Sequence, residues 1–326
     1  MLTTLAALGA GACVSAPTLK NDMHADEARD PDEVILLWPE GVPGGVPEGL
    51  AEHIVFRDNP FGLLDRAAHD VTAPSLCVFR PAKPNGSAIL IIPGGGYKWV
   101  VIDKEGFEGA RRFSAHGATV YVLRYRLPHQ GWTAGPNAPL QDAQRAMRII
   151  RARAAVDAID PGRVMVMGFS AGGHLAGTLA MRFDAPVYER ADTADTQSAR
   201  PDAAALIYPV GTMTRTFAHE GSRQCLIGQE PSPEAERAWS LEAMVRMGMP
   251  PVFLMHAEDD DAVPVENALL LYEALRASGC AVAMHLFETG GHGFGLRGIR
   301  GTPLEAWPGL VDGWGKAKGI FPGAAT

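Results

Sequence analysis

Val164-Met165-Val166-Met167-Gly168-Phe169-Ser170-Ala171-Gly172-Gly173 joins an apolar run to a Gly-x-Ser-x-Gly motif and then to small, helix-compatible residues. The four apolar residues fit a buried parallel strand, and the segment that follows, through Leu179, fits a helix. A strand, a tight turn carrying a serine, and a helix make a nucleophile elbow, in which the serine occupies a costly backbone conformation and projects its hydroxyl outward. Gly168 and Gly172 keep that turn free of Cβ clashes. The chain has 37 glycines in 326 residues, and the bare motif would arise by chance in roughly one such chain in eight. The strand before it and the helix after it set this instance apart.

Outward from the elbow the same alternation continues. Apolar runs at 88–92, 118–123, 164–167, 203–208, 252–255 and 282–287 are separated by helical patterns, which predicts an α/β fold with a mostly parallel central sheet and helices on both faces. Two earlier runs, 34–38 and 76–80, predict leading strands at one sheet edge. Leu140, Ala143, Met147, Ile150 and Ala154 form one helical stripe ahead of the elbow strand, the signature of a core-facing helix. Residues 17–326 read as a single domain, long enough for a full core. Between Tyr208 and Val252 no long apolar strand occurs, and Pro231-Ser232-Pro233-Glu234 leads into a charged helical stretch, so 212–250 is expected to form a small cap beside the pocket.

Composition narrows the class. The net charge of −8 and the lack of a basic cluster exclude nucleic acid and anionic membrane surfaces as partners. Residues 1–16 are small and apolar and resemble a secretory leader, with cleavage near Ala16 or lipidation at Cys13. Export to the periplasm or beyond is the expectation, and a cytoplasmic location the alternative if that leader does not function. The segment is too short to span a membrane. Cys77, Cys225 and Cys280 would then remain, an odd number with neither a disulfide framework nor metal-ligand spacing. No metal and no cofactor is expected. Oligomeric state leaves no signature in the sequence.

A nucleophilic serine needs an acid and a base, which on such a sheet follow it in that order on loops after later strands. The run 252–255 ends at His256-Ala257-Glu258-Asp259-Asp260-Asp261, where four carboxylates are candidates that residue type alone does not separate. The run 282–287 is followed by Glu288-Thr289-Gly290-Gly291-His292-Gly293-Phe294-Gly295, so His292 is the candidate base in a flexible loop. His174 is four residues past Ser170, which places it one helical turn below the nucleophile, and His256 ends its strand. After 88–92 comes Pro93-Gly94-Gly95-Gly96-Tyr97, a loop whose backbone can approach a substrate closely. The N–H groups of Gly95, Gly96 and Ala171 are the candidate oxyanion donors. A glycine run after a strand can also cradle phosphate, but the Lys-Ser or Lys-Thr pair is absent and Lys98 is followed by Trp99.

Together with Glu105-Gly106, Tyr125-Arg126-Leu127-Pro128, Asp142-Ala143-Gln144-Arg145-Ala146 and Gly291-His292-Gly293-Phe294, these strings resemble serine esterases of the α/β-hydrolase fold. They resemble most closely the bacterial carbohydrate-esterase branch related to acetyl-xylan and feruloyl esterases, the BD-FAE-like group. The likeness runs from about Trp38 to the C-terminus. It implies that Asp260, three residues before Val263-Pro264, is the acid, and that the loop at Pro93 corresponds to the His-Gly-Gly-Gly loop of esterases with Pro93 in the histidine's place. It further implies hydrolysis of a short acyl ester, acetyl foremost, on a plant polysaccharide or oligosaccharide such as xylan. Tyr97, Trp99 and Tyr208 are then candidate sugar-stacking surfaces. The alternatives are a general carboxylesterase, a serine peptidase on the same fold, and a non-catalytic carbohydrate-binding protein. The chain is too short to add a propeller domain of the peptidase kind, and no carboxylate pair suited to glycosidase chemistry is evident.

Overall fold

The computed structural model of the chain describes residues 30–323, so the expected leader and Cys13 lie outside the described residues. Eight strands form the main sheet: β1 (Glu33–Leu36), β4 (Ser75–Phe79), β5 (Gly86–Ile92), β7 (Thr119–Arg124), β8 (Ile159–Phe169), β9 (Ala203–Ile207), β10 (Val252–Ala257) and β11 (Val282–Phe287). Their spatial order is β1-β4-β7-β5-β8-β9-β10-β11. β1 and β4 are antiparallel, and the six strands from β7 onward run parallel. The central strands are apolar on both faces and fully buried, as a parallel sheet covered on two sides requires. β11 closes one edge and stays half-exposed.

Helices pack around this sheet. The helix after the elbow, Ala171–Arg182, lies against β8 and β9 and against the helix Ala138–Ala152. The latter ends two residues earlier than the apolar stripe suggested, which leaves Ala154 in the turn beyond it. Strand β8 is longer than the run 164–167, because Pro161 and Gly162 interrupt the apolar pattern without ending the extended backbone. Helix Ala138–Ala152 is fastened at its start by a charge network. Arg126 and Asp142 are both fully buried and meet through Nη2–Oδ1 at 2.8 Å, while the Arg126 backbone N–H reaches Asp142 Oδ2 at 2.8 Å and Trp38 Nε1–H donates to Oδ1 at 2.7 Å.

A second sheet was not anticipated. β2 (His53–Phe56), β3 (Arg66–His69) and β6 (Val100–Val101) form an antiparallel ribbon, too short to leave a readable alternation in sequence. Its placement matters, because β6 directly follows the glycine loop 93–99 and is paired to β3 through Val101 and Val100. That pairing fixes the far end of the loop while β5 fixes its near end. The parallel strands β5, β8, β9, β10 and β11 thereby deliver five loops to one end of the sheet, where an open α/β sheet forms its crevice.

Candidate active site

Ser170 sits at the turn between β8 and the following helix with φ 52° and ψ −121°, a conformation that costs a non-glycine residue on the order of 1–3 kcal/mol. Neighbouring hydrogen bonds hold it there. Its N–H donates to the Ile207 carbonyl at 3.1 Å, and its own carbonyl accepts from Val210 N–H at 3.0 Å and His174 N–H at 3.1 Å. The motif glycines let three segments converge on the serine. A Cβ at Gly172 would lie 2.2 Å from the Ile92 carbonyl oxygen, and one at Gly168 would lie 2.2 Å from that of Gly172.

His292 bridges the serine and an acid. Its Nε2 is 2.9 Å from Ser170 Oγ and its Nδ1 is 2.7 Å from Asp260 Oδ2. An ionised carboxylate only accepts, so Nδ1 carries the proton and Nε2 is left to accept from the serine hydroxyl. Of the four carboxylates after β10, Asp260 alone is buried; Glu258, Asp259 and Asp261 are exposed. Asp260 Oδ1 takes the N–H groups of Ala262 and Val263 at 3.1 and 2.8 Å, and Oδ2 also meets His256 Nε2 at 3.2 Å. Burial alone would raise its pKa, but the hydrogen bonds from His256 and His292, the charge of His292 and the Val263 N–H outweigh it. Asp260 is therefore held well below the usual carboxylate range. Asp259 instead braces the histidine loop by accepting Gly291 N–H at 2.7 Å.

The loop at Pro93 forms the opposing wall. Gly95 and Gly96 line the cleft with Ser170 and His292, at φ +124° and +65°. A Cβ at Gly95 would fall 2.2 Å from Trp99 Cδ1, so only glycine fits. Ala171 opens its helix, and a first-turn N–H has no intrahelical acceptor. Gly95 and Gly96 thus share the cleft with Ser170, and Ala171 follows the serine directly in the chain.

Two of the three aromatic candidates are out of substrate reach. Tyr97 is 1 % exposed, and its hydroxyl meets His174 Nδ1 at 2.8 Å. His174 Nε2–H donates to the Trp239 carbonyl at 2.7 Å, so the neutral ring takes the Tyr97 proton at Nδ1, and burial lowers its pKa to about 4. Tyr208 is 0 % exposed and serves the site from beneath. Its ring lies edge-on to His292 at 5.1 Å, its hydroxyl donates to Glu105 Oε1 at 3.1 Å, and the Tyr208 hydroxyl oxygen accepts Gly295 N–H at 3.2 Å. Neither side chain offers a stacking surface, because both are turned into the core and their hydroxyls are engaged there. Trp99 alone lines the cleft.

Sequence reasoning missed three contributors. Buried Glu105 ties the glycine loop to Tyr208, accepting Gly94 N–H at 2.9 Å through its second oxygen. His256 shares Asp260, as described. His219, from the segment 212–250, lines the cleft. That segment folds into three short helices, Glu220–Ile227, Pro233–Trp239 and Leu241–Met244. The His219 Nδ1 accepts Ser222 N–H at 3.1 Å, capping the first of them. Burial, with a smaller effect from His292, lowers its pKa. Glu105 and His256 both fall within strings noted in the sequence, but nothing in the spacing assigned them these contacts or pointed to His219. The cleft has a volume of about 320 Å³.

An elbow serine, an imidazole and a buried carboxylate in one hydrogen-bonded chain, on a mostly parallel sheet, define the serine-hydrolase arrangement of the α/β-hydrolase fold. Within that class the chain belongs to the BD-FAE family, which matches residues 76–275. It is 38% identical over 205 residues to endo-1,4-beta-xylanase B of Butyrivibrio fibrisolvens, covering 63% of this chain and 32% of that protein. It is 34% identical over 231 residues to the acetylxylan esterase of Xylanibacter ruminicola, covering 70% of this chain and 45% of that protein. The chain thus spans less than half the length of either relative. Among solved structures, an acetyl ester-xyloside bifunctional hydrolase from Caldicellulosiruptor lactoaceticus superposes with a TM-score of 0.73 at 33% identity, covering 90% of this chain and 99% of that one.

Proposed function

We propose that this protein is a serine esterase that removes short acyl groups, chiefly acetyl, from plant polysaccharide or oligosaccharide such as xylan. The hydrogen-bonded chain from Ser170 through His292 to Asp260 is the observation that carries the reading. In the first step His292 Nε2 takes the hydroxyl proton as Ser170 Oγ attacks the ester carbonyl, and Asp260 holds the imidazolium that forms. The oxyanion is received by the N–H groups of Gly95, Gly96 and Ala171. The alcohol leaves with the proton from His292, and water then attacks the acyl-enzyme by the same route. Two features support a sugar-borne short ester: the acetylxylan esterase similarity and a small open cleft edged by Trp99.

The test is hydrolysis of p-nitrophenyl acetate, butyrate and octanoate, together with acetate release from acetylated xylo-oligosaccharides, with Ser170→Ala as control. Acetate release from the sugar and a steep preference for the two-carbon acyl group are expected. Turnover of the synthetic esters alone would keep the mechanism and reduce the substrate claim to a general carboxylesterase.

A further inference from the structure

Although the chain carries a net charge of −8, the walls beside Ser170 are cationic. Arg57, Lys98 and Lys104 all line the cleft, against a single carboxylate, Glu105. Both Glu105 oxygens are occupied, by Gly94 N–H and the Tyr208 hydroxyl. Arg57 is paired with Asp65 at 2.8 Å, and among the described residues neither Lys98 nor Lys104 forms an ion pair.

Lys104 is the better placed of the two. A Cβ on Gly295 would meet its Cγ at 3.5 Å and one on Gly293 would meet its Nζ at 3.2 Å, so the side chain lies along the loop that carries His292. Lys104 and Arg57 also line a second cleft of about 600 Å³ that shares His292 and Gly293 with the first; its two carboxylates are Asp65, paired with Arg57 and Arg297, and the exposed Asp58. They therefore form the seam over which a substrate longer than a simple ester would pass. Lys98 stands at the outer rim, its Nζ 5.3 Å from the centre of the Trp99 ring, with Arg57 at 6.0 Å from the same ring.

We propose that this seam is a carboxylate-binding site, so that the preferred substrates carry an anionic group close to the scissile ester. The inference rests on the esterase reading above and names its substrate class. An ammonium whose stem is already packed loses little freedom on binding, and low-dielectric cleft walls keep its field from being fully screened. A carboxylate received there would form a charge-assisted hydrogen bond with Lys104 and a longer-range attraction to Arg57 and Lys98. The carboxylate could belong to the acyl group or to a uronate on the sugar.

Two matched pairs separate these sources: mono-p-nitrophenyl succinate against p-nitrophenyl butyrate, and acetylated xylo-oligosaccharide with a uronate branch against the unbranched compound. At low salt the charged member of at least one pair should have the higher kcat/KM, by roughly five- to tenfold. That ratio should fall toward one in Lys104→Gln and, in the unaltered protein, as salt is raised. A ratio at or below one in both pairs, or a ratio that neither Lys104→Gln nor salt moves, would overturn the proposal. Calorimetric titration of Ser170→Ala with the two oligosaccharides reads binding without turnover. Tighter binding of the uronate form there, with no hydrolysis of any ester by the unaltered protein, would sink the esterase reading and keep the carboxylate site.

Discussion

Asp142 and Asp260 are both buried carboxylates, at 0 % and 6 % exposure, yet they face partners of different kinds. Asp142 accepts from the Arg126 guanidinium and backbone and from the Trp38 indole. Guanidinium is a permanent cation with a fixed fork of donors, so this contact acts as a fastener between the helix and the loop after β7. Asp260 accepts from two imidazoles and two backbone N–H groups. Imidazole can take up a proton and return it, so under the mechanism proposed above Asp260 would meet a positive charge that comes and goes with the reaction. Burial is common to both; what differs is whether the partner's charge is constant.

The comparison breaks first at the serine. Ser170→Ala should lower kcat/KM by roughly 10⁴-fold or more while leaving the urea unfolding midpoint where it was. Activity surviving that change would remove the reason to treat the Asp260 region as reactive at all. Asp260→Asn should cost roughly 10²- to 10⁴-fold in kcat, because an amide can donate to His292 and favour the wrong tautomer. Asp259→Asn and Asp261→Asn, both exposed, should cost far less, and a greater loss at either would move the acid's role. Asp142→Ala should show the reverse pattern, losing about 3–5 kcal/mol of unfolding free energy as Arg126 is left buried without its counter-charge. Its kcat per folded molecule should hold; a kinetic loss matching that of Asp260→Asn would erase the distinction drawn here.

A buried histidine away from both carboxylates sharpens the contrast by pH. His174 titrates at about 4 in the folded protein against an ordinary 6.5, so the fold favours its neutral form. Its contribution is present above pH 6.5 and is lost as pH falls from there toward 4, where the unfolded chain takes up the proton first. The loss should be on the order of 3 kcal/mol, seen as a slope in urea stability across that window. His174→Gln should flatten the slope, and an undiminished slope in that variant would assign it to other groups. The smallest effect is expected from Tyr97→Phe, which removes the donor to His174 Nδ1 and should cost about 1 kcal/mol of stability with kcat nearly unchanged. A large rise in KM on sugar substrates would instead return Tyr97 to the substrate surface.

The central strands, the elbow and the glycine loop were legible in the sequence because each is a local pattern: an apolar run of strand length, a turn that tolerates only glycine, a small-residue helix start. Periodicity and steric permission act within a few residues, and no distant contact is needed to read them. The order serine, acid, histidine was legible for the same reason, since each follows its own strand. The tertiary structure decided whatever depends on which side chains face one another across the crevice. It buried Asp260, the carboxylate that the family resemblance implies and residue type alone does not separate, against His292 while leaving its neighbours exposed. It turned Tyr97 and Tyr208 inward, paired the short strands β2, β3 and β6 behind the glycine loop, and brought Glu105, His219 and His256 to the site from segments far apart in sequence. Burial and hydrogen-bond partnership are properties of converging surfaces, and a linear pattern carries them only where its own period already points to the core.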